Sequence, residues 1–267
     1  MMKKVRLDVL LVEKGLAPSR EKAQALILAG KVTLNGQVLN KPGQQLNPEA
    51  EIVLAEDFPY VSRGGAKLAQ ALRVFPVDVK NKIALDIGAS TGGFTDCLLQ
   101  AGARKVYAVD VNTKQLDWKL LQNPKVVPVE KNARYLEPED LPEKPDLTVI
   151  DVSFISVLKI LPAVRKIMTA GDLVVLIKPQ FEAGREQVGK KGVIRDKKIH
   201  QQVLTRVLSQ AQEEGFIVKG LAACQTLGQR GNQEFLAWLQ PGNRPLDREA
   251  LEKIIQETLT YGSESEN

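Results

Sequence analysis

The chain has 267 residues, 43% hydrophobic and 26% charged, with a net charge of +5; this suits a folded protein with one full-sized domain and a small companion. No run of 18 apolar residues is present, and the basic start "MMKKVRLDVLLVEKGL" is broken by Asp8, Glu13 and Lys14, so neither a membrane span nor a secretory signal is expected. One histidine, His200, and two distant cysteines, Cys97 and Cys224, argue against a histidine-based triad or metal site; no metal is expected, and a reduced cytoplasmic setting fits.

Residues 1–48 hold eight Lys and Arg against three acids, an excess as large as the net charge of the whole chain. A basic module at one end suits a polyanionic partner; the alternative is a solvated helix face. "RLDVLLVEKGL" reads as a helix with Leu7, Leu10 and Leu11 on one face and Gly15 stopping it. "APSREKAQALILAGKV" reads as a second helix, capped by Ser19, with Ala23, Leu26 and Ile27 inward and Gly30 at its end. "KVTLNGQVL" is a hairpin turning at Asn35-Gly36, and "EIVLA" a further strand. The run Arg6-Leu7-Asp8, Ser19-Arg20, Gly30, Val32 and Asn35-Gly36 resembles the RNA-binding domain named after small-subunit ribosomal protein four, over roughly residues 5–55. The resemblance implies that Arg6, Arg20, Lys22 and Lys31 face structured RNA, through phosphate contacts that position more than they read sequence. For each, the alternative is an exposed solubilising charge.

"YVSRGGAKLAQAL", residues 60–72, sets Arg63 and two glycines before an apolar helical pattern. It suggests a division into an RNA-binding domain at 1–59, a linker at 60–66, a second domain at 67–245, and a C-terminal helix with a polar tail at 246–267. Lys67 is then either a solvated first-turn residue or a chemical group. Arg63 is grouped with the RNA-facing cations.

From residue 82 strand and helix patterns alternate: "KIALDIGA", "KVYAVDVN", "VVPVE", "DLTVIDVSFIS", "DLVVLIKPQFE", "FIVKGLAAC" and "NQEFLAWLQ" are the strands. That alternation implies an α/β fold, a doubly wound and mostly parallel sheet that binds its ligand beyond the carboxyl ends of the strands. The first strand runs into "DIGASTGGFT", where Asp86, Gly88, Gly92 and Gly93 form an Asp-x-Gly-x-x-x-Gly turn rather than a dinucleotide fingerprint. Asp110 ends the second strand 22 residues after Gly88, where an acid accepts both ribose hydroxyls of an adenosine. This pattern resembles S-adenosylmethionine-dependent methyltransferases. The resemblance implies a Rossmann-like sheet of seven strands with helices on both faces. It also implies S-adenosylmethionine as cofactor, held by Asp86, Gly88, Ser90, Thr91, Gly92, Gly93, Phe94, Asp110, Val111 and Asp151, with Asn132 and Ala133 of "KNARYL" at the adenine ring. An NAD-type site, or Asp86 as a simple turn residue, are the alternatives.

Asp151, Lys178 and Glu234 fall at the strand ends in "VIDVSF", "LIKPQF" and "NQEFLAWL". Lone charges there are costly to bury, so they should be paired, either for chemistry or as a structural ion pair. Methylation of a ribose 2′-hydroxyl needs a group that removes its proton, and a lysine does so only when its pKa falls from about 10.4 toward neutrality. Ribose 2′-O-methyltransferases of the FtsJ type carry a Lys-Asp-Lys-Glu tetrad, which Lys67, Asp151, Lys178 and Glu234 match. The order "SRGGAKL", "DIGASTGGFTD", "DVSFIS", "KPQFE", "GVIRD", "GNQEF" resembles the TlyA family, sometimes labelled hemolysin A, over residues 5–240. The resemblance implies methylation of cytidine ribose in ribosomal RNA, with Lys178 as base, Lys67 and Asp151 beside the reacting hydroxyl and Glu234 orienting.

The loop at 182–196 carries Arg185, Lys190, Lys191 and Arg195 and reads as a basic lip over RNA or as an ordinary surface loop. Phe154 and Phe181 adjoin the tetrad and suit either stacking on an extruded base or core packing. The rivals are a non-catalytic ribosome-assembly factor, which leaves the four polar strand-end residues idle, and a pore-forming toxin, for which no span or long amphipathic β pattern speaks. A pseudouridine synthase would leave the glycine turn unexplained.

Overall fold

The computed structural model describes residues 4–28, 31–34, 37–54, 59–184, 186–189 and 192–261. The chain divides into two compact units, residues 1–57 and 58–267.

In the first unit, helices α1 (Leu7–Glu13) and α2 (Arg20–Leu28) bury Leu7, Leu10, Leu11, Ala23 and Ile27 against Val32 and Ile52. The expected cap is present: Ser19 Oγ accepts from the Lys22 amide at 3.2 Å. Strands β2 (Val32–Leu34), β3 (Gln37–Val38) and β5 (Ile52–Leu54) form the expected antiparallel sheet. Gly30, Asn35 and Gly36 lie outside the described residues. A second pairing, β1 (Val5–Arg6) with β4 (Gln45–Leu46), has only two residues a side and so left no periodic trace in the sequence.

The second unit is built on a seven-stranded sheet in the order β11-β12-β10-β9-β6-β7-β8. Its strands are β6 (Ile83–Ile87), β7 (Lys105–Asp110), β8 (Val126–Glu130), β9 (Leu147–Ile150), β10 (Asp172–Ile177), β11 (Phe216–Ala223) and β12 (Phe235–Pro241). β6 to β10 pair in parallel, while β12 runs antiparallel between β10 and β11. Both faces are covered, as period-2 side-chain alternation requires. Ile83, Leu85 and Ile87 pack with α6 (Leu161–Ile167), α8 (Lys197–Glu213) and α9 (Arg248–Tyr261). Ala84, Val149 and Val174 pack with α3 (Arg63–Val74) and α4 (Gly93–Gln100). Two four-residue helices, α5 (Trp118–Leu121) and α7 (Pro179–Glu182), complete the unit.

Residues 60–66 are not a linker. The Val61 amide donates to Asp96 Oδ2 at 2.8 Å and Gln100 donates to the Pro59 carbonyl at 2.8 Å, which stitches this segment to α4. Gly64 and Gly65 lie inside α3. A Cβ on Gly65 would sit 2.3 Å from the Tyr60 ring, so that glycine permits close packing and is not there for flexibility. Lys67 therefore stands in the second turn of α3 and is 8% exposed, not a solvated first-turn residue. Helix α9 buries Leu251 and Ile255 in the sheet's core, and Gly262–Asn267 lie outside the described residues.

Candidate active site

The register of the sheet gathers the polar strand ends. Ile87 of β6 and Val175 of β10 both pair with Ile150 of β9, and Ile177 of β10 pairs with Phe235 of β12. Gly88, Asp151, Lys178 and Glu234, each one residue beyond these strands, emerge at one edge. Because β12 is antiparallel, its N-terminal end joins the carboxyl ends of its neighbours. The Asp151 amide donates to the Ile87 carbonyl at 2.9 Å, which fixes where that carboxylate starts.

All four tetrad residues meet. Lys178 Nζ lies 2.6 Å from Asp151 Oδ1 and donates to Ser153 Oγ at 2.8 Å. Lys67 and Glu234 form a second ion pair, with both side chains nearly sealed from solvent. Gln180 Nε2 donates to the other Glu234 oxygen at 3.0 Å. Two cations against two carboxylates leave the cluster neutral, as burial demands. A Cβ on Gly228 would sit 2.1 Å from Glu234 Oε1, so a side chain there would displace this carboxylate. Cys224 lies close by, but burial pushes its thiol up to about 12, which removes it as a nucleophile near neutrality.

A cleft of about 240 Å³ opens on the tetrad, lined also by Arg63, Gly64, Gly88, Ser90, Thr91, Gly93, Phe94 and Phe181. A second, of about 420 Å³, shares Gly88, Ser90, Asp151 and Ser153 with it and continues past Asp110, Val111, Asn132, Ala133 and Phe154. The residues fit an adenosine-bearing cation. Gly88 has φ +84° and no room for a side chain, since its Cβ would approach the Asp151 carbonyl oxygen to 2.6 Å. Asp110 accepts from the Ser90 and Asn112 amides at 2.9 and 3.0 Å, which ties the glycine turn to β7 beside the cleft that Asp110 lines. Asp86 is fully buried; Thr95 donates to its Oδ2 at 2.6 Å, and its Oδ1 has no partner. Burial foremost, and next the charges of Asp151 and Asp110, push Asp86 up to about 7 against the Thr95 hydrogen bond.

Gly92 differs from its expected role. It lines neither cleft; its φ is +95° and its Cβ position lies 2.1 Å from Leu120 Cδ1, so packing against α5 accounts for the glycine. Phe154 is no core residue: it is 87% exposed at φ +65°, with its ring centroid 5.0 Å from that of Phe181. Sequence reasoning also passed over Ser153 and Gln180. Each stands two residues after a tetrad member, Asp151 and Lys178, and that i+2 spacing was the available signal.

In the first unit, Asp8 is fully buried and accepts from Arg6 at 3.0 Å, Arg20 at 2.9 Å and Gln24 at 2.9 Å. Arg6 and Arg20 thus serve an internal carboxylate, and each keeps about half its side chain exposed. Lys22 is exposed and Lys31 partly buried. Arg63 is exposed at the rim of the tetrad cleft. Arg185, Lys190 and Lys191 lie outside the described residues. Among the described residues no group of three or more His, Cys, Asp or Glu is arranged to hold a metal ion, and no helix is long and apolar enough to cross a membrane.

An antiparallel strand set into a parallel sheet, with a glycine turn and an acid bracketing a cleft at its carboxyl edge, defines a Rossmann-like methyltransferase. Residues 60–241 match the FtsJ-like methyltransferase family and residues 5–52 the S4 domain. A Bacillus subtilis protein, YqxC, provisionally named an rRNA methyltransferase, is 50% identical over 96% of this chain and 94% of its own. The 16S/23S rRNA (cytidine-2′-O)-methyltransferase TlyA of Mycobacterium tuberculosis is 40% identical over 98% of this chain and 100% of its own. A solved structure from Streptococcus thermophilus, provisionally named a hemolysin, superimposes with a TM-score of 0.75 at 45% identity, covering 100% and 99% of the two chains. The chain belongs to the FtsJ-like methyltransferase family, among the TlyA-type members that begin with an S4 domain.

Proposed function

We propose that the protein methylates the 2′-hydroxyl of cytidine in ribosomal RNA, using S-adenosylmethionine, with Lys178 as general base. The observation that carries this reading is the meeting of Lys178 with Asp151 and of Lys67 with Glu234 at the mouth of a cleft that fits the cofactor. The name and near full-length identity of the M. tuberculosis relative support the choice of substrate. The exposed cations of the S4 unit supply phosphate contacts, and ribosomal RNA as substrate places the enzyme in the cytoplasm.

The cofactor supplies a methyl group already activated on a sulfonium. Asp110 would accept from the cofactor's ribose hydroxyls, Val111, Asn132 and Ala133 would border its adenine, and Gly88, Ser90 and Thr91 would let the backbone approach. Asp151 and Ser153 would aim Lys178 Nζ at the 2′-hydroxyl; once its ammonium has given up a proton to solvent, the neutral amine takes the hydroxyl proton as the oxygen attacks. Lys67, held by Glu234, sits at the same cleft and stabilises charge on that oxygen. Replacing Lys178 with Ala tests the reading, with transfer of labelled methyl from S-adenosylmethionine to ribosomal subunits as readout and nucleoside mass spectrometry locating the product. Loss of general-base help predicts a fall of roughly 10²- to 10⁴-fold with cofactor affinity retained. Undiminished transfer, or a product other than 2′-O-methylcytidine, overturns the reading.

A further inference from the structure

Glu182 takes no part in the chemistry above, and its side chain is only 3% exposed, so it cannot touch substrate. Its carboxylate accepts from Ser156 Oγ at 2.6 Å and from the Val157 amide at 2.7 Å. Arg206 of α8 lies 3.5 Å from that carboxylate and donates to the Glu182 backbone carbonyl. Glu182 ends α7, which follows Lys178; Ser156 and Val157 end the segment that starts at Asp151. Those two segments meet at three points: Lys178, which pairs with Asp151 and donates to Ser153 Oγ, the Phe154–Phe181 ring pair, and Glu182.

The three points are not equivalent. Asp151 is also anchored through its amide on Ile87, so it keeps its place without Glu182. Phe154 lies between anchors, in a left-handed conformation that an aromatic residue adopts only when its surroundings enforce it. Two residues downstream, the Glu182 carboxylate holds the chain from which that conformation hangs. We propose that Glu182 is a positioning residue, which fixes Phe154 in its outward left-handed pose so that the Phe154–Phe181 pair receives the target nucleotide. This rests on the RNA-methylating function proposed above.

The test uses full-length protein, labelled S-adenosylmethionine and unmodified ribosomal subunits, with KM and kcat measured separately. Glu182→Ala should raise the KM for subunits at least tenfold while kcat changes less than threefold. Ser156→Ala, which removes one of the two bonds and leaves the burial intact, should act in the same direction to a smaller extent. Glu182→Ala combined with Phe154→Ala should be no worse than Phe154→Ala alone, a coupling that a purely structural role would not produce. Wild-type protein that transfers no methyl overturns the proposed function itself. Wild-type transfer with KM unchanged in both single variants, or with additive effects in the double variant, overturns the positioning role.

Discussion

Glu234 and Lys67 are 167 residues apart in the chain, yet they form a buried ion pair beneath the cleft. Lys67 belongs to α3 and Glu234 immediately precedes β12, so the pair joins the unit's first helix to its last strand. Gln180 donates to the remaining Glu234 oxygen and joins α7 to the same point. One site thus depends on elements from the beginning, middle and end of the unit.

This pair should be costly to break and cheaper to remove. Glu234→Ala leaves the Lys67 ammonium buried without its partner, a change expected to cost about 3–5 kcal/mol. Lys67→Met combined with Glu234→Leu takes both charges away and should recover most of that stability while methyl transfer stays abolished. Thermal melting of the two variants alongside the transfer assay checks this. A double variant as unstable as Glu234→Ala would show that the pair's surroundings, not its charges, hold the site.

Asp86 makes the cofactor-free protein sensitive to pH. Its folded pKa, about 7, stands above the ordinary aspartate value of 3.8, so the folded state binds its proton more tightly than the unfolded chain does. The resulting stability is complete below about pH 4 and is lost as pH rises through about 7. Asp86→Asn should melt higher than wild type at pH 8, because the amide carries no charge to desolvate in this buried position. Melting curves from pH 5 to 8 without cofactor test this, and equal slopes in both proteins would overturn it.

The features legible in the sequence were those with local periodicity or fixed spacing. The strands, the Gly88 turn and the four charges at strand ends all leave such marks, and the sheet register then brings those charges together. Partnerships across distant segments leave none. Gly64 and Gly65 read as part of a linker because the nearness of Tyr60 and α4 exists only in the folded unit. Gly92 read as a cofactor contact because nothing local shows Leu120 filling the space beside it. Arg6 and Arg20 read as free cations because the burial of Asp8 between them depends on how α1 packs on α2.

Phe154 is expected to separate RNA recognition from folding. Glycine adopts φ +65° without strain, so Phe154→Gly should melt no lower than wild type. A stacked base is worth about 1–3 kcal/mol, so the same change should raise the KM for ribosomal subunits roughly 5- to 150-fold. Affinity for S-adenosylmethionine, measured by calorimetry, should stay within about threefold. An unaltered KM would return this ring to the status of an exposed hydrophobe without a role.

The S4 unit should divide its charges between folding and binding. Asp8 is held well below the usual carboxylate range, first by its hydrogen bond to Arg6 and then, against burial, by Gln24 and Arg20. A depressed pKa means that its contribution is present above about pH 4 and lost as pH falls further. Asp8→Ala removes the acceptor shared by two half-exposed arginines and Gln24 and should destabilise the unit by about 2 kcal/mol at neutral pH. Lys22 is exposed on α2, and Lys22→Ala should leave stability within about 0.5 kcal/mol. If it meets a phosphate, its loss should also reduce the slope of log affinity against log salt by somewhat under one unit. Filter binding to ribosomal RNA from 50 to 300 mM salt, with melting of both variants, reads the two roles separately. A Lys22→Ala slope identical to wild type would remove that lysine from the interface.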